Sequence, residues 1–278
     1  MKKICLITCA ILFCASLAFG DEVQDKLSPV ATEELKAGTR EMISSGINSD
    51  DAIGMTKLML QNRFRHQLIL SAQHIIMNAQ RQGLPVQPIM NKAHEGMAKH
   101  AQHKDIVQAM ERVRSRYAFA YQQARTVTRN SAQMHYVGNT IAQGLAAGMD
   151  EEDVGRIMQS FQHRAQEMTR ADAEQLARET FMATRTMTRL GVSSKAAMEL
   201  VCQALQNRFT AREMKRMRNT FMTRSRNENP TSLAKSYTNQ IQGGKVSGGS
   251  VSPDMGGAGP SGGHGGSGGH GGSGGHGK

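Results

Sequence analysis

Gly46-Ile47-Asn48, followed fourteen residues on from the glycine by Leu60-Gln61-Asn62-Arg63-Phe64, returns with the same spacing as Gly191-Val192-Ser193 and Leu205-Gln206-Asn207-Arg208-Phe209. Two further sites carry the glycine pattern, Gly83-Leu84-Pro85 and Gly148-Met149-Asp150. The order glycine, apolar residue, capping residue reads as one helix stopping and the next one starting. The glycine takes the left-handed conformation past the first helix, and the apolar residue folds back onto its last turn. Asn48, Asp150 and Ser193 are then placed to cap the next helix, while Pro85 replaces the cap at the second site and Pro88 suits a first turn.

Other fragments keep the register. Phe161-Gln162-His163-Arg164 is a looser copy, one residue early. Arg178-Glu179-Thr180-Phe181-Met182 matches Arg218-Asn219-Thr220-Phe221-Met222. The pattern predicts four diverged helix-turn-helix units spaced 37, 65 and 43 residues apart. The long gap leaves room for an extra helical segment around 131–147. Apolar residues recur at helical spacing: Ala197, Met198, Val201 and Leu205; Met214, Met217 and Phe221; and Ile106, Ala109, Val113, Tyr117 and Ala124. Thr210 with Glu213 resembles a capping box. Alternating strand patterns and hairpin dipeptides are missing. With 19 Met and no Trp, the core relies on adaptable unbranched side chains. The expected fold is all-α, built from stacked helical hairpins irregular enough to close into a bundle rather than a long solenoid.

Gly83-Leu84-Pro85, Pro88-Ile89, Lys92, Glu95-Gly96-Met97-Ala98-Lys99 and Ile106 resemble a repeat of uncharacterised exported bacterial helical proteins. The likeness covers about 30 residues. It implies an exported helical protein and no particular activity.

The N-terminus supports export independently. Lys2 and Lys3 precede an apolar run from Ile4 to Phe19, and Ala18-Phe19-Gly20 supplies small residues where a signal peptidase cuts. Residues 1–20 are therefore expected to be a signal peptide and the mature chain periplasmic or extracellular, the alternative being an uncleaved anchor. Lipidation would need a small residue before Cys14, where Phe13 stands. No second apolar run reaches membrane length. Cleavage removes Cys5, Cys9 and Cys14, leaving Cys202 as a small buried residue or an intermolecular disulfide partner, and excluding a disulfide-stapled fold. From Gly243 the composition changes: 18 of the last 36 residues are Gly, so 243–278 is expected to be a flexible tail and 21–242 the helical domain.

The chain carries a formal net charge of +11. Arg208, Arg212 and Arg216 recur every four residues, with Lys215 and Arg218 extending the stripe around the face away from Met214 and Met217. Arg112, Arg114 and Arg116 form a second cluster. Arginine pairs bidentately with phosphate and carboxylate, so these patches suit an anionic envelope component or an acidic protein, or else simply a solvated, ion-paired helix face. Export and few aromatics for base stacking argue against nucleic acid.

His264, His270 and His276, six residues apart in the tail, could hold Zn, Ni or Cu weakly, or form a low-complexity tail without a ligand. His94, His100 and His103 lack the carboxylates or cysteines that complete a tetrahedral set. Asp50-Asp51 and Glu151-Glu152-Asp153 fall in first turns, where they complement the helix dipole. Nucleophile, phosphate-loop and dinucleotide motifs are missing, so no enzyme is read from the sequence. A non-catalytic interaction or scaffold protein of the envelope is the function expected, with metal binding through the tail as the alternative.

Overall fold

The computed structural model describes residues 22–27 and 31–244. A short helix over 22–27 (α1) precedes α2 (Glu33–Ser44), α3 (Ser49–Gln61), α4 (His66–Arg81), α5 (Gln87–Ala98) and the long α6 (His103–Val127). There follow α7 (Ser131–Ala146), α8 (Glu151–Ala165), α9 (Arg170–Arg189), α10 (Ser194–Gln206), α11 (Ala211–Arg224) and α12 (Pro230–Gln242). Among the described residues there is no strand, so the all-α expectation holds. The expected signal peptide and most of the tail, including His264, His270 and His276, lie outside the described residues.

The four glycines sit between the arms of hairpins, with φ of 96° at Gly46, 67° at Gly83, 102° at Gly148 and 88° at Gly191. Each closes its helix in the same way. The Gly191 N–H donates to the Thr188 carbonyl and the Val192 N–H reaches back to Met187. Gly46, Gly83 and Gly148 repeat the pair of bonds with Ile47, Leu84 and Met149. These bonds satisfy carbonyls that a helix end otherwise leaves open, and they bury the apolar residue against the last turn.

Three second arms, α3, α5 and α10, end by the same device without a glycine. Arg63, His100 and Arg208 adopt φ of 58°, 52° and 60°. The Arg63 N–H donates to Leu60 and the Phe64 N–H to Met59; Arg208 and Phe209 repeat this on Leu205 and Ala204. The recurring Leu-Gln-Asn-Arg-Phe sequence is thus a helix stop. Its Asn donates a side-chain bond to the carbonyl four residues back, at 2.8 Å for Asn62 and 2.9 Å for Asn207. Its Phe is buried as the plug between one hairpin and the next. Phe161 to Arg164 does not copy it. Those residues lie within α8, which runs on to Ala165 and has no left-handed residue at its end.

First arms pack side by side in the order α2, α4, α6, α7, α9, α11; second arms form another layer, with α3 on α5, and with α10 between α8 and α12. Packing follows chain order, and α2 and α12 share no substantial contact. The stack is open, an irregular repeat of stacked hairpins as expected but without closure into a bundle, because each arm finds its apolar partner on the next hairpin. Segment 131–147 is helical but serves as the first arm of the third hairpin. The helix without a partner arm is α6, which lies against both α5 and α7. A fifth hairpin, α11 with α12, has no glycine at its turn and went unread in the sequence.

Asn48 and Ser193 cap as expected, accepting from the Asp51 and Ala196 N–H groups. Thr210 and Glu213 form the capping box. The Asp150 side chain does not cap. Instead the Asp150 N–H donates to Ser194 Oγ at 2.9 Å, and Ser194 donates to the buried Asp153 at 2.6 Å, tying α8 to α10. Cys202 is buried, and burial raises its thiol pKa. No helix among the described residues is long and apolar enough to cross a membrane.

Candidate functional site

The sequence match between Arg178–Met182 and Arg218–Met222 places equivalent residues on neighbouring first arms, α9 and α11. Phe181 and Phe221 are both buried in the core. Their neighbours Met182 and Met222 face a furrow between the two helices. Along α9, Arg178, Met182, Arg185 and Arg189 are spaced as one helical face. Leu190 ends that face.

The larger hollow of the furrow encloses about 680 Å³. Its apolar surface comes from Met182, Leu190 and Met222. Leu190 is 38 % exposed and Met222 45 %, the two large hydrophobic side chains left open among the described residues. Arg185, Arg189, Arg218 and Arg226 surround them, with Thr186, Asn219 and Ser225 between. No carboxylate lines this hollow. Arg189 also borders a smaller hollow of about 320 Å³ with Gln143, Ala146 and Ala147, which extends the site towards α7.

Cations without carboxylates are tolerated here partly because Arg189 lies in the last turn of α9 and Arg226 follows the end of α11. The negative end of the helix dipole favours positive charge there. Local bonds fix the rest. Arg185 donates from Nη1 to Gln143 Oε1 at 2.6 Å, while its buried Nε has no acceptor. The Tyr136 hydroxyl donates to the Met182 sulfur, and the Arg178 guanidinium lies 4.1 Å over the Tyr136 ring.

Arg218 is the most unusual member. It is only 8 % exposed. Glu179 lies 3.4 Å from Nη2 without hydrogen-bond geometry, and Nε and Nη1 meet no acceptor. A buried guanidinium with so little compensation is costly and leaves a positive field in the hollow beside it. The Glu179–Arg218 pair bridges α9 and α11. Beyond it, a second hollow of about 410 Å³ is lined by Gln175, Arg178, Glu179, Ala211, Arg212 and Lys215.

The structure redistributes the basic residues singled out from sequence. Arg212 and Lys215 line the second hollow. Arg216 is half-buried on α11. Arg208 is not part of a stripe on α11: it sits in the left-handed turn before the Thr210 cap and pairs with Glu167 at 3.3 Å. Arg218 faces inward with Met214 and Met217, not away from them, because it stands four residues on from Met214 and α9 packs over that face. Arg112, Arg114 and Arg116 stand on α6, which shares no substantial contact with α11, so the clusters are separate. Arg114 forks onto Glu111, with Nη2 donating at 2.6 Å, and is largely neutralised.

Comparison with protein-family models, curated proteins and solved structures finds no match to this chain. The site's chemistry therefore rests on its own residues.

His94, His100 and His103 are not gathered on a common point. His100 holds the left-handed turn after α5, and His103 stacks on Phe64 with ring centroids 3.9 Å apart. Among the described residues no group of three or more His, Cys, Asp or Glu is placed to hold a metal. The acidic clusters do sit in first turns: Asp50 and Asp51 in α3, Glu151, Glu152 and Asp153 in α8.

Sequence reading missed Arg185, Arg189, Arg226, Met182, Leu190 and Met222. Their signal was available. The matched fragments put Met182 and Met222 in register, and Arg185 and Arg189 continue the same face one and two turns on.

Proposed function

We propose that the chain is an exported, non-catalytic binding module of the cell envelope, and that an anionic partner docks between α9 and α11. The observation that carries this reading is the hollow of four arginines and no carboxylate around the exposed Leu190 and Met222. Guanidinium groups stay charged at all physiological pH values and donate to planar oxyanions. The other polar groups of the hollow are an amide and hydroxyls, which bind without exchanging protons near neutrality. Stacked hairpins suit the role, since a rigid array of first arms presents such a face without rearrangement. Export rests on the N-terminal sequence, from Lys2 to Gly20.

The test is titration of the protein with 1-anilinonaphthalene-8-sulfonate, an aromatic anion whose fluorescence rises on apolar contact. Saturable binding, weakened at least tenfold in an Arg185→Glu, Arg226→Glu double variant of unchanged helical content, supports the reading. Equal binding by the variant defeats it.

A further inference from the structure

The occupant can be specified more closely, on the assumption that the α9/α11 hollow is the docking site. We infer that it takes a monomeric single-chain amphiphile: one alkyl chain ending in a phosphate or carboxylate head.

Three features of the surface select this class. The first is the pairing of opposite chemistries at one place. The two exposed large hydrophobic side chains among the described residues are adjacent to a set of arginines with no acid between them. A purely polar polyanion would use the cations and leave Leu190 and Met222 in water. The second is the size of the apolar area. A docked protein buries roughly 800 Å² per partner around an apolar core, and an amphipathic helix needs anchors over at least two turns. Leu190 and Met222, with Met182 half-covered beneath, offer one anchoring point, not a stripe. A hollow of about 680 Å³ is instead the size of a small-molecule site.

The third feature is charge placement. Arg185 and Arg218 are partly or wholly covered, and three of their nitrogens find no acceptor in the chain. Arg189 and Arg226 are exposed at the rim. A head group at the rim would meet Arg189 and Arg226 directly, while the covered guanidiniums supply field without contact. Its chain would lie over Met182, Leu190 and Met222, whose unbranched methionines adapt to a flexible alkyl group.

The experiment is calorimetric titration of the full chain below the critical micelle concentration with octyl, decyl and dodecyl phosphate, with inorganic phosphate and with phosphatidylglycerol vesicles as separate arms. Expected is one saturable site whose affinity rises about fourfold per added methylene, as burial of each group from water requires. Inorganic phosphate should bind far more weakly. Met222→Glu should abolish the chain-length dependence, whereas Met222→Leu should keep it and thereby report that loss of fold is not the cause. Inorganic phosphate binding as tightly as dodecyl phosphate would overturn the inference and leave the anion-docking reading intact. Binding to vesicles without binding to monomers would overturn it in favour of a lipid surface. No response to any alkyl phosphate, together with no arginine-dependent binding of the naphthalene sulfonate, would remove both.

Discussion

Gly191 and Gly155 should respond oppositely to the same substitution by Ala. Neither glycine has a heavy atom within 4 Å of where a Cβ would stand, so steric room does not separate them. Backbone conformation does. Gly191 has φ of +88°, whereas Gly155 lies inside α8. A side chain in the left-handed region costs about 1–2 kcal/mol. The smaller conformational freedom of unfolded Ala returns about 0.4–1 kcal/mol. Gly191→Ala should therefore destabilise by about 1 kcal/mol. Gly155→Ala relieves a helix-interior glycine and should stabilise by about 0.5–1 kcal/mol. Urea unfolding followed by circular dichroism at 222 nm measures both. Arg208→Gly is the converse experiment: it removes a left-handed arginine at φ of 60° and should stabilise by up to about 1 kcal/mol. Its ion pair with Glu167 is exposed and contributes little to offset that gain. Shifts of the same sign and size for Gly191→Ala and Gly155→Ala would refute the helix-stop reading of the repeat.

Four other outcomes are expected. Gly138→Ala should loosen the α6–α7 contact, because its Cβ would stand 2.6 Å from the Tyr121 ring; a loss of at least about 1 kcal/mol in the same unfolding assay is expected. The Glu95 carboxyl, hydrogen-bonded by Lys92 and Lys99, is held down to about 2. Because that value is depressed, its stabilising contribution is present above about 4.5 and is lost as pH falls from there through 2, which NMR titration of the side-chain carbon would follow. Cys202 should react slowly with a maleimide in the native chain and rapidly in urea, since burial both shields it and disfavours the thiolate. Arg218→Met, which strands the largely covered Glu179 carboxylate without its partner, should destabilise the chain and weaken binding of the naphthalene sulfonate several-fold, whereas Arg218→Met combined with Glu179→Leu should recover the lost stability but not the binding.

Where helices stop was legible in the sequence, and what their faces do together was not. Gly46, Gly83, Gly148 and Gly191 announce left-handed turns by residue type, and Ile47, Leu84, Met149 and Val192 follow as the buried residue in every copy. Arg63 and Arg208 hold the same conformation without a glycine to announce it, so the Leu-Gln-Asn-Arg-Phe copies were visible as a repeat but not as a helix end. The fifth hairpin lacks the glycine and was missed for the same reason. Asp150 had the right type and position for a cap, yet its side chain accepts nothing from the first turn, and its N–H donates to Ser194 on the neighbouring second arm. The site depended on a still less local fact. Spacing on one helix gave an arginine stripe on α11, but the hollow forms between α9 and α11, and half of its cations belong to α9. Arg218 is a different case: four residues on from Met214 and three before Phe221, it stands at the edge of the apolar face by helical spacing alone, and α9 with Glu179 covers it there.

The most direct test of the α9/α11 site is a methyl NMR titration of the methionines with dodecyl phosphate, using the full chain labelled at the methionine methyl carbons. The methyls of Met182 and Met222 should shift progressively and saturably, while those of the core residues Met42, Met55 and Met59 stay in place. Unmoved Met182 and Met222 signals at saturating dodecyl phosphate, or equal shifts at core and furrow methionines, would contradict a binding site between α9 and α11.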